Sequence, residues 1–262
     1  MGEQLWLEYL RQEGYPEPQR LQPGPDKTPD FELSTSEGPV VCEVKHFPWT
    51  EDDDAAVRSG VVLVGPPGFG RLRDAIRRGK QQLRGHRGKI TCIVVCNTNP
   101  LVDTGDWAVY EAMFGRLSMH FVVDLQGRTE PTYLGTAPSG YGRIVHPEHP
   151  APWVSAVAVL ERHAPDRRRF EDLCSERAFA GLTQAELAKM ELSEFCRRLE
   201  EAAEAVRREH PELDPSREVL RLRVYENPEA ERPLPRTILA GRFDVRHGLL
   251  GDGTYGQLPA DG

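Results

Sequence analysis

Thr28-Pro29-Asp30-Phe31-Glu32-Leu33 and, thirteen residues after Asp30, Glu43-Val44-Lys45 are the stretch on which the fold turns. Residues 30–33 and 40–45 are strand-like, and Ser34-Thr35-Ser36-Glu37-Gly38 between them is a turn-rich loop. Folded symmetrically about that loop, Phe31 faces Cys42, Leu33 faces Val40 and Asp30 faces Glu43. Side chains alternate along a strand with period two. Phe31, Leu33, Val40, Cys42 and Val44 therefore share an apolar face, and Asp30, Glu43 and Lys45 share the other. Asp26 competes for the acidic position, but it precedes the alternating segment and falls beyond the end of the pairing.

Two carboxylates and an ammonium on one face are what metal-dependent hydrolysis of a phosphodiester requires. Mg2+ binds through one or two carboxylates plus substrate phosphate oxygens and keeps several waters. The carboxylates of Asp30 and Glu43, with the main-chain carbonyl of Val44, suit a half-open site for Mg2+ or Mn2+. Such an ion lowers the pKa of a bound water and neutralises charge at the scissile phosphate. Lys45 is expected to orient the attacking water or to stabilise the transition state. The same residues also suit a plain hairpin with a cross-strand ion pair, since short motifs recur by chance.

The neighbouring segments give the motif a setting. Residues 2–13 have helical periodicity, with Trp6, Leu7 and Leu10 on one face, Glu3 at its edge and Gly14 placed to end the helix. Residues 71–84 form a second helix carrying Leu72, Ile76 and Leu83, and residues 91–96 a buried strand. The order is helix, strand pair, helix, strand.

That order, with a literal Pro29-Asp30 and Glu43-Val44-Lys45, is similar to the PD-(D/E)xK nuclease superfamily over roughly residues 1–100. Glu3, eleven residues ahead of Gly14, and Gln82-Leu83 on the following helix match further features of that family. The resemblance implies an α/β fold with a restriction-endonuclease-like core: a helix, a mixed central β-sheet and a helix. Additional C-terminal helices and strands would follow. It implies Asp30 and Glu43 as metal ligands, Lys45 as catalytic, Glu3 as an auxiliary acid and Gln82 as the residue that orients the site. Gln81, adjacent to Gln82, competes for that role.

Composition bounds the alternatives. The chain has 262 residues, enough for one sizeable core, and reads as a single domain. A core of about residues 1–100 would precede an elaboration over about 101–247, with a poorly ordered tail at 248–262. No apolar run is long enough to span a membrane and no basic-then-apolar leader opens the chain, so a soluble cytoplasmic protein is expected. Five cysteines without Cys-x-x-Cys spacing read as free thiols.

A net charge of −8 argues against a general nucleic-acid coat protein. Between residues 71 and 89, however, eight Lys/Arg face one acid, Asp74. Arg71, Arg73, Arg77, Arg78, Lys80 and Arg84 are the candidates for tracking phosphates; a solvated helix face is the plain alternative.

The remaining segments carry less chemistry. Glu51-Asp52-Asp53-Asp54 reads as a solvated turn. The glycines of 65–70 are a hinge rather than a phosphate loop, because Gly70 is followed by Arg71-Leu72. In His146-Pro147-Glu148-His149-Pro150 the two prolines preclude helical metal-ligand spacing. Further on, a helix is expected over 107–117 and strands over 120–124, 153–160 and 218–225. Thr183-Gln184-Ala185-Glu186 is a capping box expected to open a long helix toward Arg208. The function expected is metal-dependent hydrolysis of nucleic acid, DNA foremost, in repair or in defence against foreign DNA. A homodimer or a companion protein would supply target choice. The alternative is an inactive nuclease-like module that binds nucleic acid or protein.

Overall fold

The computed structural model describes residues 1–22, 28–58, 69–115, 117–123, 129–136, 144, 150–251 and 254–259. Helix α1 (Gly2–Gln12) buries Trp6, Tyr9 and Leu10 and is followed by Gly14 in the left-handed region, φ +74°. Strands β1 (Gln19–Arg20), β2 (Phe31–Thr35) and β3 (Gly38–Phe47) follow. The β2–β3 turn closes on Gly38, φ +110°, where the Thr35 hydroxyl donates to the Gly38 carbonyl at 2.6 Å. Next come α2 (Glu51–Arg58), α3 (Phe69–Leu83), β4 (Ile90–Asn97) and α4 (Asp106–Phe114). Helix α4 stops short of the expected end, at Gly115 with φ +98°. Strands β5 (Leu117–Val123) and β6 (Thr129–Thr136) pair only with each other, and β7 (Ala156–His163) returns to the main sheet.

Helices α5 (Arg167–Ala178), α6 (Gln184–Leu187) and α7 (Leu192–Glu209) precede β8 (Val219–Glu226), β9 (Val245–Leu249) and β10 (Tyr255–Gln257). The chain forms two compact units. One comprises Met1–Glu161 with Arg221–Gly262. The other, Arg162–Leu220, packs α5 against α7 around Phe170, Cys174, Ala178, Ala202, Val206 and Leu213. Arg177 binds Glu209 through both guanidinium nitrogens, at 2.6 and 2.8 Å.

The main sheet runs β1-β2-β3-β4-β7-β8-β9-β10, so the class is α/β with an eight-stranded mixed sheet. β1, β2 and β3 are antiparallel neighbours, β3, β4 and β7 are parallel, β8 and β9 are parallel, and β10 is antiparallel to β9. The hairpin register is the one the sequence predicts: Phe31 opposes Cys42 and Leu33 opposes Val40. Asp30, expected opposite Glu43 in the ladder, lies instead in the bend just before β2.

Four expectations need correction. Both faces of β3 are covered, since Val41 and Glu43 are as buried as Val40 and Cys42, while Val44 is only half-buried. A parallel neighbour brings crossover helices to both faces. On one face α1 packs closely: a Cβ on Gly2 would meet the His46 side chain at 2.6 Å, and the Cys96 thiol contacts the Gly2 carbonyl. On the other, α3 packs through Gly79, where a Cβ would sit 3.0 Å from Ile93.

The capping box at Thr183 is present, yet α6 lasts one turn and the long helix starts only at Leu192. The acidic run opens α2, and its Asp53 is buried. Part of the tail is ordered as β10, with Leu258 buried beside it. The glycine hinge up to Gly68, His146, His149 and Asp26 lie outside the described residues.

The close α3–sheet approach is testable. Gly79→Leu should lower stability in urea denaturation by about 1–3 kcal/mol despite leucine's better helix propensity, because the side chain overpacks against Ile93. Gly85→Ala, with nothing within 4 Å of its Cβ, serves as the control and should not destabilise.

Candidate active site

Strand β3 places Val41, Glu43, Lys45 and Phe47 on the face beneath α3, with Glu43 beside Ile93 and Lys45 beside Val95 of β4. Glu43 is 1% exposed. Burial pushes its pKa up to about 7, and the Asp30 carboxylate pushes the same way. Lys45 and the Gln82 side chain oppose the rise. The Lys45 ammonium donates to Glu43 Oε1 and, at 2.6 Å, to Gln82 Oε1. Glu43 Oε2 is buried and has no hydrogen-bond partner among the described residues.

Asp30 approaches from the hairpin's open end. Its Oδ2 accepts the Val44 N–H at 2.8 Å. Its pKa is raised, chiefly by burial; the Val44 N–H lowers it, Glu3 raises it, and Lys45 and Arg20 lower it. Asp30, Glu43, Lys45 and Gln82 therefore form one connected set, and Val44 joins it through its main chain. Glu3 stays at the edge, its carboxylate paired with Arg20 at 2.8 Å. Among the described residues no group of three or more His, Cys, Asp or Glu could hold a metal ion.

Two carboxylates nonetheless fit a hard cation. Mg2+ needs only one or two from the protein, and a buried carboxylate oxygen without a donor is a strong acceptor looking for a charge. Asp30 and Glu43 Oε2 are the carboxylate groups that such an ion would meet.

The basic segment divides. Counting about 100° per residue around α3, Arg71 and Arg78 lie within roughly 40° of Gln82, the residue that touches Lys45. Arg73, Arg77 and Lys80 fall about 140–180° away, on the other flank, and Arg84 lies just beyond the end of α3. Arg71 is engaged with Asp53 at 3.0 Å and Arg77 with Asp74 at 3.2 Å. Arg78, exposed, makes a long contact to the Asp74 carbonyl, 3.4 Å, and no other polar contact among the described residues. Arg73 and Lys80 are half-buried, and Arg84 is exposed.

Sequence reading missed two residues here. Arg20, in the short strand β1, takes up Glu3. Asp53 accepts from the Thr50 N–H and hydroxyl, Asn99 and Arg71, which hold its carboxyl below the usual range and tie α2 to α3 and to the end of β4. An Asp three residues after a Thr at a helix start was a usable signal for that hub.

No family model matches the chain, and neither a curated protein nor a solved structure matches it. Among the described residues no helix is long and apolar enough to cross a membrane.

Glu43 carries a pH signature. Its folded pKa, about 7, exceeds the ordinary 4.5, so the folded state binds the extra proton. The associated stability is complete below about pH 4.5 and is lost as pH rises to about 7. Urea titrations of the metal-free protein should show roughly 3 kcal/mol of this loss, and Glu43→Gln should lack it. Equal pH slopes in the two proteins would refute the buried-acid assignment.

Proposed function

We propose that the chain is a Mg2+- or Mn2+-dependent nuclease, with DNA the expected substrate. The observation that carries this reading is the acid pair: half-buried Asp30 and buried Glu43 electrostatically coupled on and beside the interior strand β3, Glu43 Oε2 without a donor among the described residues, and Lys45 fixed beside them. The order α1, β2–β3, α3, β4, with the helices packed on residues of opposite parity, supports a restriction-endonuclease-like core.

Asp30 and Glu43, with the Val44 carbonyl, would hold the ion. When bound, it would supply charge neutralisation at the phosphate and acidify a water. Lys45 is positioned by Gln82 and Glu43, so its ammonium meets the negative charge that develops on the phosphoryl oxygens without having to reorganise. Gln82 is a positioning residue. Arg78, on the same flank of α3, is placed to meet a phosphate farther along the strand; Arg71 serves the α2–α3 joint first.

A non-cleaving nucleic-acid or protein-binding module is the second reading. It is favoured by one observation, the withdrawal of Glu3 into its pair with Arg20.

Incubation with plasmid, linear and single-stranded DNA and RNA, with Mg2+, Mn2+ or EDTA, separates the two. Cleavage should require metal and fall at least about a hundredfold in Asp30→Asn, Glu43→Gln and Lys45→Ala. Cleavage that survives these changes would refute the site, and binding without any cleavage would favour the module. In binding assays without metal, Arg78→Ala should weaken affinity and shallow the salt dependence more than Arg84→Ala does. Equal effects would mean that the basic helix does not face its ligand along the Gln82 flank.

A further inference from the structure

Resting on the nuclease reading, we propose that Lys45 is an internal counter-ion that opposes metal loading at Glu43, so that the ion and the substrate phosphate load together. The carboxylate of Glu43 is divided between two partners. Oε1 receives the Lys45 ammonium, and Oε2, also buried, receives nothing among the described residues. Any cation taken up by Oε2 sits beside a fixed positive charge on the neighbouring oxygen.

The ammonium is not free to swing away. Gln82 Oε1 holds it at 2.6 Å, and the Lys45 side chain is only 17% exposed. Gln82 is itself fixed by α3, which lies close on Ile93 at Gly79, one turn earlier. A like charge at that range lowers the affinity for a divalent ion by about tenfold or more, even at the effective dielectric of a protein site.

Substrate changes the balance. The scissile phosphate brings negative charge to both cations at once, so it relieves the repulsion between Lys45 and the ion. Phosphate then tightens metal binding, and metal tightens phosphate binding by the same factor. Lys45 thereby keeps the site weakly loaded until nucleic acid arrives.

The test measures Mn2+ affinity by calorimetry at pH 8.5, where Glu43 is ionised. It is run with and without a phosphorothioate DNA duplex that resists cleavage. Lys45→Met should bind Mn2+ about tenfold or more tightly than wild type in the absence of DNA, and the further tightening by DNA should be smaller than in wild type. Lys45→Arg should keep wild-type weakness and wild-type coupling. Gln82→Ala, which lets the ammonium drift off Glu43, should tighten Mn2+ binding by a smaller factor. This second variant carries the test if Lys45→Met fails a circular dichroism check of folding.

Equal or weaker Mn2+ binding by the folded Lys45→Met and Gln82→Ala proteins would overturn the proposal while leaving the nuclease reading intact. No Mn2+ binding by wild type or any variant, with or without DNA, would instead remove the metal site and the nuclease reading with it.

Discussion

A carboxylate buried to 1% exposure on the central strand β3 is the constraint on which the rest of the candidate site depends. β3 has an antiparallel neighbour on one side and a parallel one on the other, so it is interior to the sheet. Parallel pairing to β4 requires a crossover, and the crossover helix α3 roofs the face that carries Glu43. Glycine at position 79 lets that roof approach Ile93 closely, and Gln82 one turn later reaches Lys45. Burial, roof and positioning residue are one construction. Moving α3 outward would rehydrate Glu43 and release Lys45 together.

The local parts of this construction were legible in the sequence. Alternation over 30–33 and 40–45 predicts the observed Phe31–Cys42 and Leu33–Val40 register, because a slip of one residue would turn Phe31 and Leu33 out of the core. The periodicity of 2–13 and the position of Gly14 mark α1. What could not be read was long-range. Period two says which residues share a face, not that a helix covers the polar one. No local signal places β7 beside β4, or inserts Arg162–Leu220 between β7 and β8. The capping box at Thr183 fixes only the first turn of a helix, and says nothing about where that helix stops.

The fate of the charged residues follows the same division. Six basic side chains on 71–84 form a run in sequence, but α3 turns the five it carries to two flanks, and Arg71 is held by an acid that a linear reading leaves in solvent. Glu3 lies at the edge of a buried stripe, as its phase requires. Its partner, Arg20, comes from a two-residue strand too short to leave a pattern. A charge run bounds how much electrostatic attraction is available; only the packing decides where it points.

A half-exposed acid elsewhere in the molecule shows, by contrast, how little Glu43 is satisfied. Asp106, at the start of α4, accepts from Arg223 and from the Tyr225 hydroxyl, both at 2.6 Å. Arg223 also reaches Glu161 at 3.0 Å and the Thr104 carbonyl at 2.7 Å. Burial would raise the Asp106 pKa, yet the Tyr225 and Arg223 hydrogen bonds, with help from His247, hold it below the ordinary value. That is how a fold satisfies a partly covered acid: several donors converge, and the ionised form is the favoured one. Glu43 has the opposite balance. It has one ammonium, shared with Gln82, one oxygen without a donor, and a proton affinity raised to about 7. An acid so arranged is poorly satisfied by the protein alone, and that is what sets Glu43 apart from Asp106.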